Sequence, residues 1–248
     1  MVGIPFDAVC AIALAILAAG CDSVLGLKMF GPGPDAPSND LGCATRGALL
    51  CADFEQGNTF YANGVLSDVP MPVGNVTASV EEPGADGGHA LYVDSAGATY
   101  RLETLSTTAA TRITATFDVE LARFDANTPA TSLVVLYFEQ TQVAQCYVAV
   151  VYKPTPPRLT LVENCTSQEA PDLVTPLPSH TLFVPVTFTM DLVTKSGSAQ
   201  LGANSATVPI DPGGATMTFP GVIFGFVDPL GSSAARVGFD NLLVVTAP

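Results

Sequence analysis

The chain has 248 residues, of which 48% are apolar and 13% charged, so it has ample apolar sequence for a buried core and is not a disordered protein. Nine basic residues against 23 acidic ones give a formal net charge of −14. Nucleic-acid binding depends on clustered basic side chains that neutralise phosphates, so the charge argues against a nucleic-acid partner. The same charge repels anionic lipid headgroups, and any membrane association therefore needs a covalent or inserted anchor.

A stretch of thirteen uncharged residues near the start of the chain ends in Leu17-Ala18-Ala19-Gly20-Cys21. It is too short to span a bilayer, which takes about 20 apolar residues, but it has the length of a signal-peptide apolar region. The segment resembles the lipobox of bacterial lipoproteins, in which a cysteine that follows small residues is lipidated. The resemblance implies that residues 1–20 are a signal peptide and that Cys21 carries the lipid. The alternative is a buried N-terminal helix with an ordinary Cys21, since Asp7 stands where signal peptides carry basic residues.

Residues 21–42 are rich in Pro, Gly and Ser, as in Gly31-Pro32-Gly33-Pro34. Such a segment cannot bury enough apolar surface to fold, so we predict a disordered tether. The stretch GCDSVLGL, residues 20–27, followed by this tether is similar to lipoproteins of the myxobacterium-like type. We expect a membrane-anchored protein of the cell envelope that displays residues 43–248 as one folded domain outside the cytoplasm.

The cysteines of the expected domain are even in number, which indicates disulfides in an exported protein: Cys43, Cys51, Cys146 and Cys165. Residues 146–152 and 159–165 are apolar runs on either side of a Pro-rich loop, residues 153–158. Folded as an antiparallel hairpin, they place Cys146 opposite Cys165 with β-carbons about 5 Å apart, which leaves Cys43 to pair with Cys51. A metal site is the alternative, but neither pair has C-x-x-C spacing and the histidines are only His89 and His180.

From residue 43 onward, apolar and polar residues alternate with a period of two, and no helical period is evident. In residues 112–124, RITATFDVELARF, the odd positions from Ile113 to Leu121 are apolar and the even positions from Thr114 to Glu120 are polar. This pattern is typical of a strand with one wet face. The predicted strands, in chain order, are Leu49–Phe54, Val76–Val80, Ala90–Val93, Tyr100–Thr104, Arg112–Phe124, Ser132–Glu139, Cys146–Tyr152, Leu159–Cys165, Val186–Leu192, Ala199–Ala203, Val222–Val227 and Arg236–Val245.

Turn-forming sequences separate these strands, at Glu82–Gly88, Thr194–Gly197, Pro212–Gly214 and Asp228–Gly231. An open sheet of about twelve strands would leave large apolar faces exposed. We therefore predict an all-β fold in which two antiparallel sheets pack as a β-sandwich of the jelly-roll type.

The first and last predicted strands resemble those of concanavalin A-like lectin/glucanase domains. The matching segments are Leu50-Cys51-Ala52-Asp53-Phe54-Glu55 and Val237-Gly238-Phe239-Asp240-Asn241-Leu242-Leu243-Val244, and the resemblance covers residues 48–248. It implies the jelly-roll fold but not one function, because such domains include lectins, glycosidases and adhesive modules.

The resemblance also implies a structural calcium ion near the first and last strands, held by hard-oxygen residues: Asp53, Glu55, Asp240 and Asn241. The alternative is that these side chains make backbone hydrogen bonds that close the sandwich. No other cofactor is expected.

Two acidic residues on one strand face, Asp118 and Glu120, are the candidate catalytic pair. The glucanase branch of the resembling family carries E-x-D-x-x-E, whose carboxylates act as nucleophile and general acid; here the order differs and Arg123 takes the place of the third acid. The alternative is the solvated face of an alternating strand. No G-x-S-x-G elbow occurs, and we expect His89 and His180 to be surface residues.

The leading hypothesis is a non-catalytic, lipid-anchored envelope or surface protein whose sandwich is a recognition or structural module. The family resemblance suggests a glycan or envelope polymer as ligand, although the chain has no Trp for stacking on sugars. One alternative is a glycosidase that uses Asp118 and Glu120, which requires aromatic residues such as Tyr137 or Tyr147 beside that pair. The other is a protein-binding envelope component, which requires a large exposed apolar patch.

Overall fold

The computed structural model describes residues 47–55, 61–62, 65–71, 75–96, 99–125, 128–140, 146–155, 157–164, 169–174, 182–211, 217–226 and 233–248. All of them belong to the compact unit Ser38–Pro248. They form strands joined by turns and loops, as the alternation of apolar and polar residues predicts. None of these residues lies in a helix that is long and apolar enough to cross a membrane. The predicted signal peptide, Cys21 and the tether lie outside the described residues.

The described residues form sixteen strands. The first eight are β1 (Ala48–Ala52), β2 (Tyr61–Ala62), β3 (Val65–Met71), β4 (Asn75–Glu81), β5 (Ala90–Ala96), β6 (Thr99–Leu105), β7 (Arg112–Phe124) and β8 (Thr131–Gln140). The others are β9 (Cys146–Pro154), β10 (Pro157–Glu163), β11 (Glu169–Val174), β12 (Val184–Asp191), β13 (Ser196–Leu201), β14 (Asn204–Pro209), β15 (Met217–Phe226) and β16 (Ala234–Ala247).

The strands form two antiparallel sheets, so the predicted two-sheet sandwich is confirmed. The nine-stranded sheet has the order β14-β13-β12-β7-β16-β1-β2, and β5, with β4 beside it, also pairs with β16. The seven-stranded sheet has the order β11-β10-β9-β8-β15-β6-β3.

The last strand, β16, organises the nine-stranded sheet because it borders three strands. Strand β7 runs along one side of it, while on the other side β5 pairs with its first half and β1 with its second half. A bulge between Asp240 and Leu243 separates the halves, and Asn241 within it has a φ of 51°. Asparagine adopts this left-handed conformation more readily than most residues. The Asp240-Asn241 pair therefore marks the point where β16 exchanges one partner for the other.

The core lies between the sheets and is built from the alternating apolar positions. In β7 the predicted inward residues from Ile113 to Leu121 are buried, which confirms that assignment. Phe117 packs edge-on against Phe224 of the opposite sheet, with ring centroids 5.3 Å apart, and Phe239 joins them. Each buried phenylalanine contributes about 1.5–3 kcal/mol relative to an exposed one, so this cluster is a major source of cohesion between the sheets.

Two cysteines of the described residues, Cys51 and Cys146, are buried and disulfide-bonded. The partners that the sequence predicts, Cys43 and Cys165, lie outside the described residues, so the pairing stays a prediction. A bond between Cys146 and Cys165 requires a register of β9 and β10 that places these two positions opposite each other. That register is observed from the Pro157–Pro154 pair to the Glu163–Val148 pair, at the end of β10.

Two predicted elements have clearly different bounds in the structure. The loop predicted at residues 153–158 is shorter, because β9 and β10 continue through Pro154 and Pro157, which lie opposite each other. The strand predicted at Ala199–Ala203 is interrupted by a turn after Leu201, where Gly202 has a φ of 57°. The chain then reverses into β14.

Candidate functional site

The outer faces of the two sheets carry the aromatic and charged side chains that the core does not use. We call the outer face of the nine-stranded sheet around Tyr92, Glu120 and Arg236 the polar face. We call the outer face of the seven-stranded sheet around Glu103, Tyr137 and Tyr147 the tyrosine face. These two surfaces point away from the core in opposite directions, because each belongs to a different sheet of the sandwich.

On the polar face, a tyrosine crosses a neighbouring strand to reach a carboxylate. Tyr92 of β5 and Glu120 of β7 both lie opposite Gly238 of β16. The Tyr92 ring passes over Gly238, where an added Cβ would lie 2.9 Å from Cε1 of the ring. The hydroxyl is 2.6 Å from Oε2 of the buried Glu120. Burial and this hydrogen bond raise the pKa of Tyr92, so the hydroxyl stays protonated as a donor.

Arg236 joins the acidic residues of the polar face into a network. Its guanidinium carbon lies 4.3 Å from the centroid of the Tyr92 ring, which is a cation–π contact. It donates to Oε2 of Glu81 at 2.7 Å and to Oδ2 of Asp94 at 2.9 Å. Hydrogen bonds from Ser79 and Arg236 lower the pKa of Glu81. Arg236 therefore pairs with two of the acidic residues of this face.

The candidate catalytic acids, Asp118 and Glu120, lie on the outer face of β7 as predicted. Each has a hydrogen-bond donor from its own chain: the tyrosine hydroxyl for Glu120, and Nδ2 of Asn241 at 2.8 Å for Oδ2 of Asp118. Tyr137 and Tyr147 belong to the other sheet, on β8 and β9. The two aromatic residues named for the glycosidase hypothesis are thus not beside the pair, although Tyr92 and Phe183 are. Both acids are hydrogen-bonded within the chain, and this favours a structural role for them.

The loop of residues 82–89, which joins β4 to β5, is held by two carboxylates. Oδ2 of Asp240 accepts the amide of Ala85 at 2.8 Å, and Oε1 of Glu55 accepts the amide of His89 at 2.8 Å. A Cβ at Gly84 would lie 2.8 Å from Oδ2 of Asp240, so the loop approaches this carboxylate closely. The loop thereby links the last strand to the segment that follows the first strand.

The four calcium candidates include these two carboxylates. The other two candidates are Asp53, whose Oδ1 accepts the amide of Glu55 at 3.3 Å, and Asn241, whose Nδ2 donates to Asp118. These contacts are the hydrogen bonds that the alternative to calcium predicts. Among the described residues, no group of three or more His, Cys, Asp or Glu side chains is arranged to hold a metal ion. Calcium also takes backbone carbonyls as ligands, and whether it binds here stays a prediction.

Asp240 is the most strongly perturbed acid of this region. Burial raises its pKa to about 6, with further contributions from the charges of Asp86 and Asp118, although the amides of Ala85 and Asn241 act in the opposite direction. Its ionised form is therefore less favourable in the folded protein than in the unfolded chain.

His89, expected at the surface, has a side chain that is 39% exposed between Glu55 and Glu82. Its Nδ1 lies 3.7 Å from Oε2 of Glu55 and its Nε2 lies 3.6 Å from Oε1 of Glu82. No nucleophilic side chain hydrogen-bonds to it within the part of the chain that the structure describes. His180 lies outside the described residues.

The tyrosine face has a second, smaller cluster of apolar side chains, separate from the core. Positions that alternate with core residues on the three central strands β8, β9 and β15 are buried here: Val135, Tyr137, Ala149, Val151 and Ile223. Leu105, Tyr147 and Val162 are half-buried around them. An outer sheet face is ordinarily polar, so this apolar lining requires a structural or functional reason.

A tyrosine over a glycine also organises the tyrosine face. Tyr137 lies opposite Gly221 of β15, whose other neighbour is Leu105 of β6. The Tyr137 ring covers Gly221, where a Cβ would lie 2.2 Å from the ring carbon Cζ. The hydroxyl donates to Oε1 of Glu103 on β6 at 2.5 Å. Tyr147 lies directly opposite Tyr137 on β9 and is half-buried, so it is the more accessible ring of the pair.

No protein-family model matches the chain, and no curated protein matches it in sequence. Solved structures do share its fold. A cellulose-induced protein, Cip1, has a TM-score of 0.56 at 14% identity over 79% of this chain and 96% of its own. The family 7 alginate lyase AlgAT5 has a TM-score of 0.51 at 8% identity over 82% of this chain and 96% of its own.

A structure of botulinum neurotoxin type C, whose cell entry depends on two ganglioside molecules, has a TM-score of 0.55 at 10% identity. That match covers 82% of this chain and 49% of the toxin chain. The fold is a concanavalin A-like jelly roll. At these identities the likeness concerns the fold alone, and it confirms the fold class that the first and last strands predict.

The sequence contains a signal for the second apolar face of this jelly roll. Residues 132–138 and 146–152 are nearly continuous apolar runs, SLVVLYF and CYVAVVY, and not alternating ones. A continuous run indicates a strand with apolar side chains on both faces. The contact between Tyr137 and Glu103 has no such signal, because the two residues are 34 positions apart and meet only through the register of β6, β15 and β8.

Proposed function

We propose that this chain is a non-catalytic recognition module that binds a glycan on its tyrosine face. The observation that carries the proposal is the apolar lining of that face together with the accessible Tyr147 ring beside the Tyr137–Glu103 pair. Saccharide sites combine an aromatic ring that packs against the apolar side of a sugar with a few polar groups that fix its hydroxyls.

The similar folds lend the ligand class some support. The proteins named above include an alginate lyase and a toxin whose cell entry depends on gangliosides. Both deal with carbohydrate-containing molecules, but fold analogy does not transfer an activity. The absence of a catalytic role is part of the proposal, since Asp118 and Glu120 are both hydrogen-bonded within the chain on the opposite side of the sandwich.

A protein-binding role has less support. The large apolar side chains that are exposed among the described residues are Leu182 and Val193, at 64% and 73%. They lie beyond opposite ends of β12, so they do not form one patch. A docking surface for a protein would need a contiguous apolar area.

The experiment that tests the proposal is a glycan and polysaccharide array probed with the full chain. Binding to a defined glycan that is abolished by Tyr147→Ala supports the proposal. Release of new reducing ends from the bound glycan would show catalysis and contradict the non-catalytic part. Failure to bind any glycan, with a far-UV spectrum typical of β structure, would contradict the proposal as a whole.

We further propose that Cys21 carries a lipid and that the domain is displayed in the cell envelope, outside the cytoplasm. The support is the sequence of residues 8–21 and the disulfide-bonded state of Cys51 and Cys146, since disulfides persist in oxidising compartments. Intact-mass measurement of membrane-extracted protein should show an acylated N-terminal cysteine. A soluble product that retains Met1 would contradict the anchor. Non-reducing peptide mapping should join Cys146 to Cys165 and Cys51 to Cys43.

A further inference from the structure

The charges around the tyrosine face restrict which glycan it can bind. Glu103 is half-buried, and its Oε1 accepts the hydroxyl of Tyr137. Glu139 follows Tyr137 on the same outer face of β8 and is exposed. The pKa of Tyr137 is raised above its ordinary value. Burial is the main cause, and the hydrogen bond to Glu103 and the charges of Glu103 and Glu139 add to it. Tyr137 therefore lies in a region of negative potential, with the carboxylate of Glu103 fixed beside its hydroxyl. Tyr147 lies on the other side of Tyr137, three strands or about 14 Å from Glu103.

Among the residues that the structure describes, the basic side chains of the same sheet face lie away from the two rings. Arg101 is opposite Gly225, four residues along β15 from the Gly221 that Tyr137 covers, or about 13 Å. Lys153 is six residues along β9 from Tyr147, or about 20 Å, and pairs with Arg158. All three have interactions within the chain, including a hydrogen bond of 2.9 Å from Arg158 to the carbonyl of Thr155.

Carboxylate oxygens accept hydrogen bonds from sugar hydroxyls and repel other carboxylates and sulfates. The glutamate oxygens offer about four acceptor positions, and the Tyr137 hydroxyl occupies one of them. A neutral saccharide can donate hydroxyls to the rest. A uronate or a sulfated sugar brings like charge to Glu103, and it meets a protein with a net charge of −14.

We propose that the tyrosine face selects neutral saccharides, such as uncharged hexose or N-acetylhexosamine chains, and rejects uronates and sulfated glycans. In this arrangement Tyr147 packs against one sugar ring, Glu103 accepts hydroxyls of another ring of the same saccharide about 14 Å away, and Tyr137 holds Glu103 in position. The inference rests on the proposed glycan-binding function and adds the ligand's charge class to it.

The test is calorimetric titration of the full chain with cellohexaose, chitohexaose and a galacturonic acid hexamer, at low and moderate salt. We expect the neutral hexamers to bind at least about tenfold more tightly than the uronate, with a smaller ratio at higher salt because the repulsion is screened. Glu103→Gln should weaken binding of the neutral hexamers about tenfold and reduce the discrimination against the uronate. Glu82→Gln, which removes an equal charge from an exposed loop on the other side of the domain, should change neither.

The outcomes separate the two proposals. Binding of the uronate as tight as that of the neutral hexamers, or an unchanged ratio in a folded Glu103→Gln protein, would overturn the charge selectivity while leaving glycan binding intact. Binding of none of the three, together with a negative glycan array, would contradict the glycan-binding function itself. Thermal melting of both variants checks that each is folded.

Discussion

The polar face and the tyrosine face use the same local device in different surroundings. In each, a tyrosine ring passes over a glycine of the adjacent strand and its hydroxyl meets a glutamate one strand further on: Tyr92, Gly238 and Glu120 in one case, Tyr137, Gly221 and Glu103 in the other.

The two arrangements differ in the residues that surround them. On the polar face the glutamate is buried and Arg236 forms ion pairs with two nearby acids, Glu81 and Asp94. On the tyrosine face the glutamate is half-buried, and an apolar cluster and a second tyrosine lie on the same face. The first arrangement stabilises the pairing of neighbouring strands, and the second positions groups that can contact a ligand.

The two glycines allow the largest expected difference to be measured. Gly221→Ala places a Cβ 2.2 Å from the Tyr137 ring, whereas Gly238→Ala places one 2.9 Å from the Tyr92 ring. Overpacking of this kind costs about 1–3 kcal/mol, and we expect Gly221→Ala at the upper end and Gly238→Ala at the lower. Urea unfolding of both variants provides the free energies. Equal stability of Gly221→Ala and the parent protein would show that the ring does not lie over the glycine.

Removal of each tyrosine hydroxyl should reverse the order of the effects. Tyr92→Phe leaves the buried Glu120 without its hydroxyl donor and should cost about 1–3 kcal/mol of stability. Tyr137→Phe should cost less than about 1 kcal/mol, because water can reach the half-buried Glu103, but it should weaken glycan binding. Chemical denaturation and titration with the bound glycan measure the two quantities. A larger loss of stability for Tyr137→Phe than for Tyr92→Phe would contradict the assignment of roles.

The acids around Arg236 provide a smaller effect on the polar face alone. Arg236→Gln removes the ion pairs to Glu81 and Asp94 and the contact with the Tyr92 ring. Because the guanidinium is partly exposed, we expect a loss of about 1 kcal/mol that shrinks as salt is added, with no change in glycan binding. Arg123→Gln, which removes a more exposed ion pair to Asp94, is the matched control and should cost less. A loss of glycan binding in Arg236→Gln would place ligand contacts on the polar face.

A dependence of stability on pH is also expected. The pKa of Asp240 is raised to about 6, so its contribution to stability is fully present below about pH 4 and is lost as the pH rises through about 6. Asp191 affects stability in the opposite direction. Although burial acts to raise its pKa, hydrogen bonds from Thr194, Arg112 and Val193 lower the pKa overall. Its contribution to stability is present above its ordinary pKa and is lost as the pH falls through the lowered value.

Without divalent cations, the melting temperature should therefore fall between pH 5 and about pH 7, and Asp240→Asn should reduce that fall. Added calcium at pH 7.5 should raise the melting temperature of the parent protein and not of Asp240→Asn if the ion binds beside this carboxylate. No response to calcium or to a chelator would remove the calcium proposal. A fall with pH that persists in full in Asp240→Asn would assign the titration to another group.

The sequence predicts the inner strands of the sandwich better than its edges. All twelve predicted strands correspond to observed ones, and the four that were missed lie at the ends of the sheet orders: β2, β3, β11 and β14. Edge strands have one neighbour and often carry Pro and polar residues, as VLSDVPM in β3 and EAPDLV in β11 do, and these obscure the alternation. A two-residue strand such as β2 has too few residues for a pattern.

The contacts of the site are harder to predict from the sequence than the fold is. The outward orientation of Asp118 and Glu120 follows from alternation within one strand. Their hydrogen bonds to Asn241 and Tyr92 depend on the position of the bulge in β16 and on the glycine at 238, which set the register between strands distant in sequence. Local patterns carry no information on such a register.

The measurement that tests the central comparison most directly is the glycan affinity of two matched aromatic variants in the full chain. Tyr147 on the tyrosine face and Phe183, which packs edge-on against Tyr92 on the polar face, are both half-buried. With a neutral hexasaccharide, Tyr147→Ala should lose at least about tenfold in affinity, since stacking on a sugar ring is removed, while Phe183→Ala should bind as the parent protein does. Loss of affinity in Phe183→Ala with none in Tyr147→Ala would contradict the account and place the ligand on the polar face.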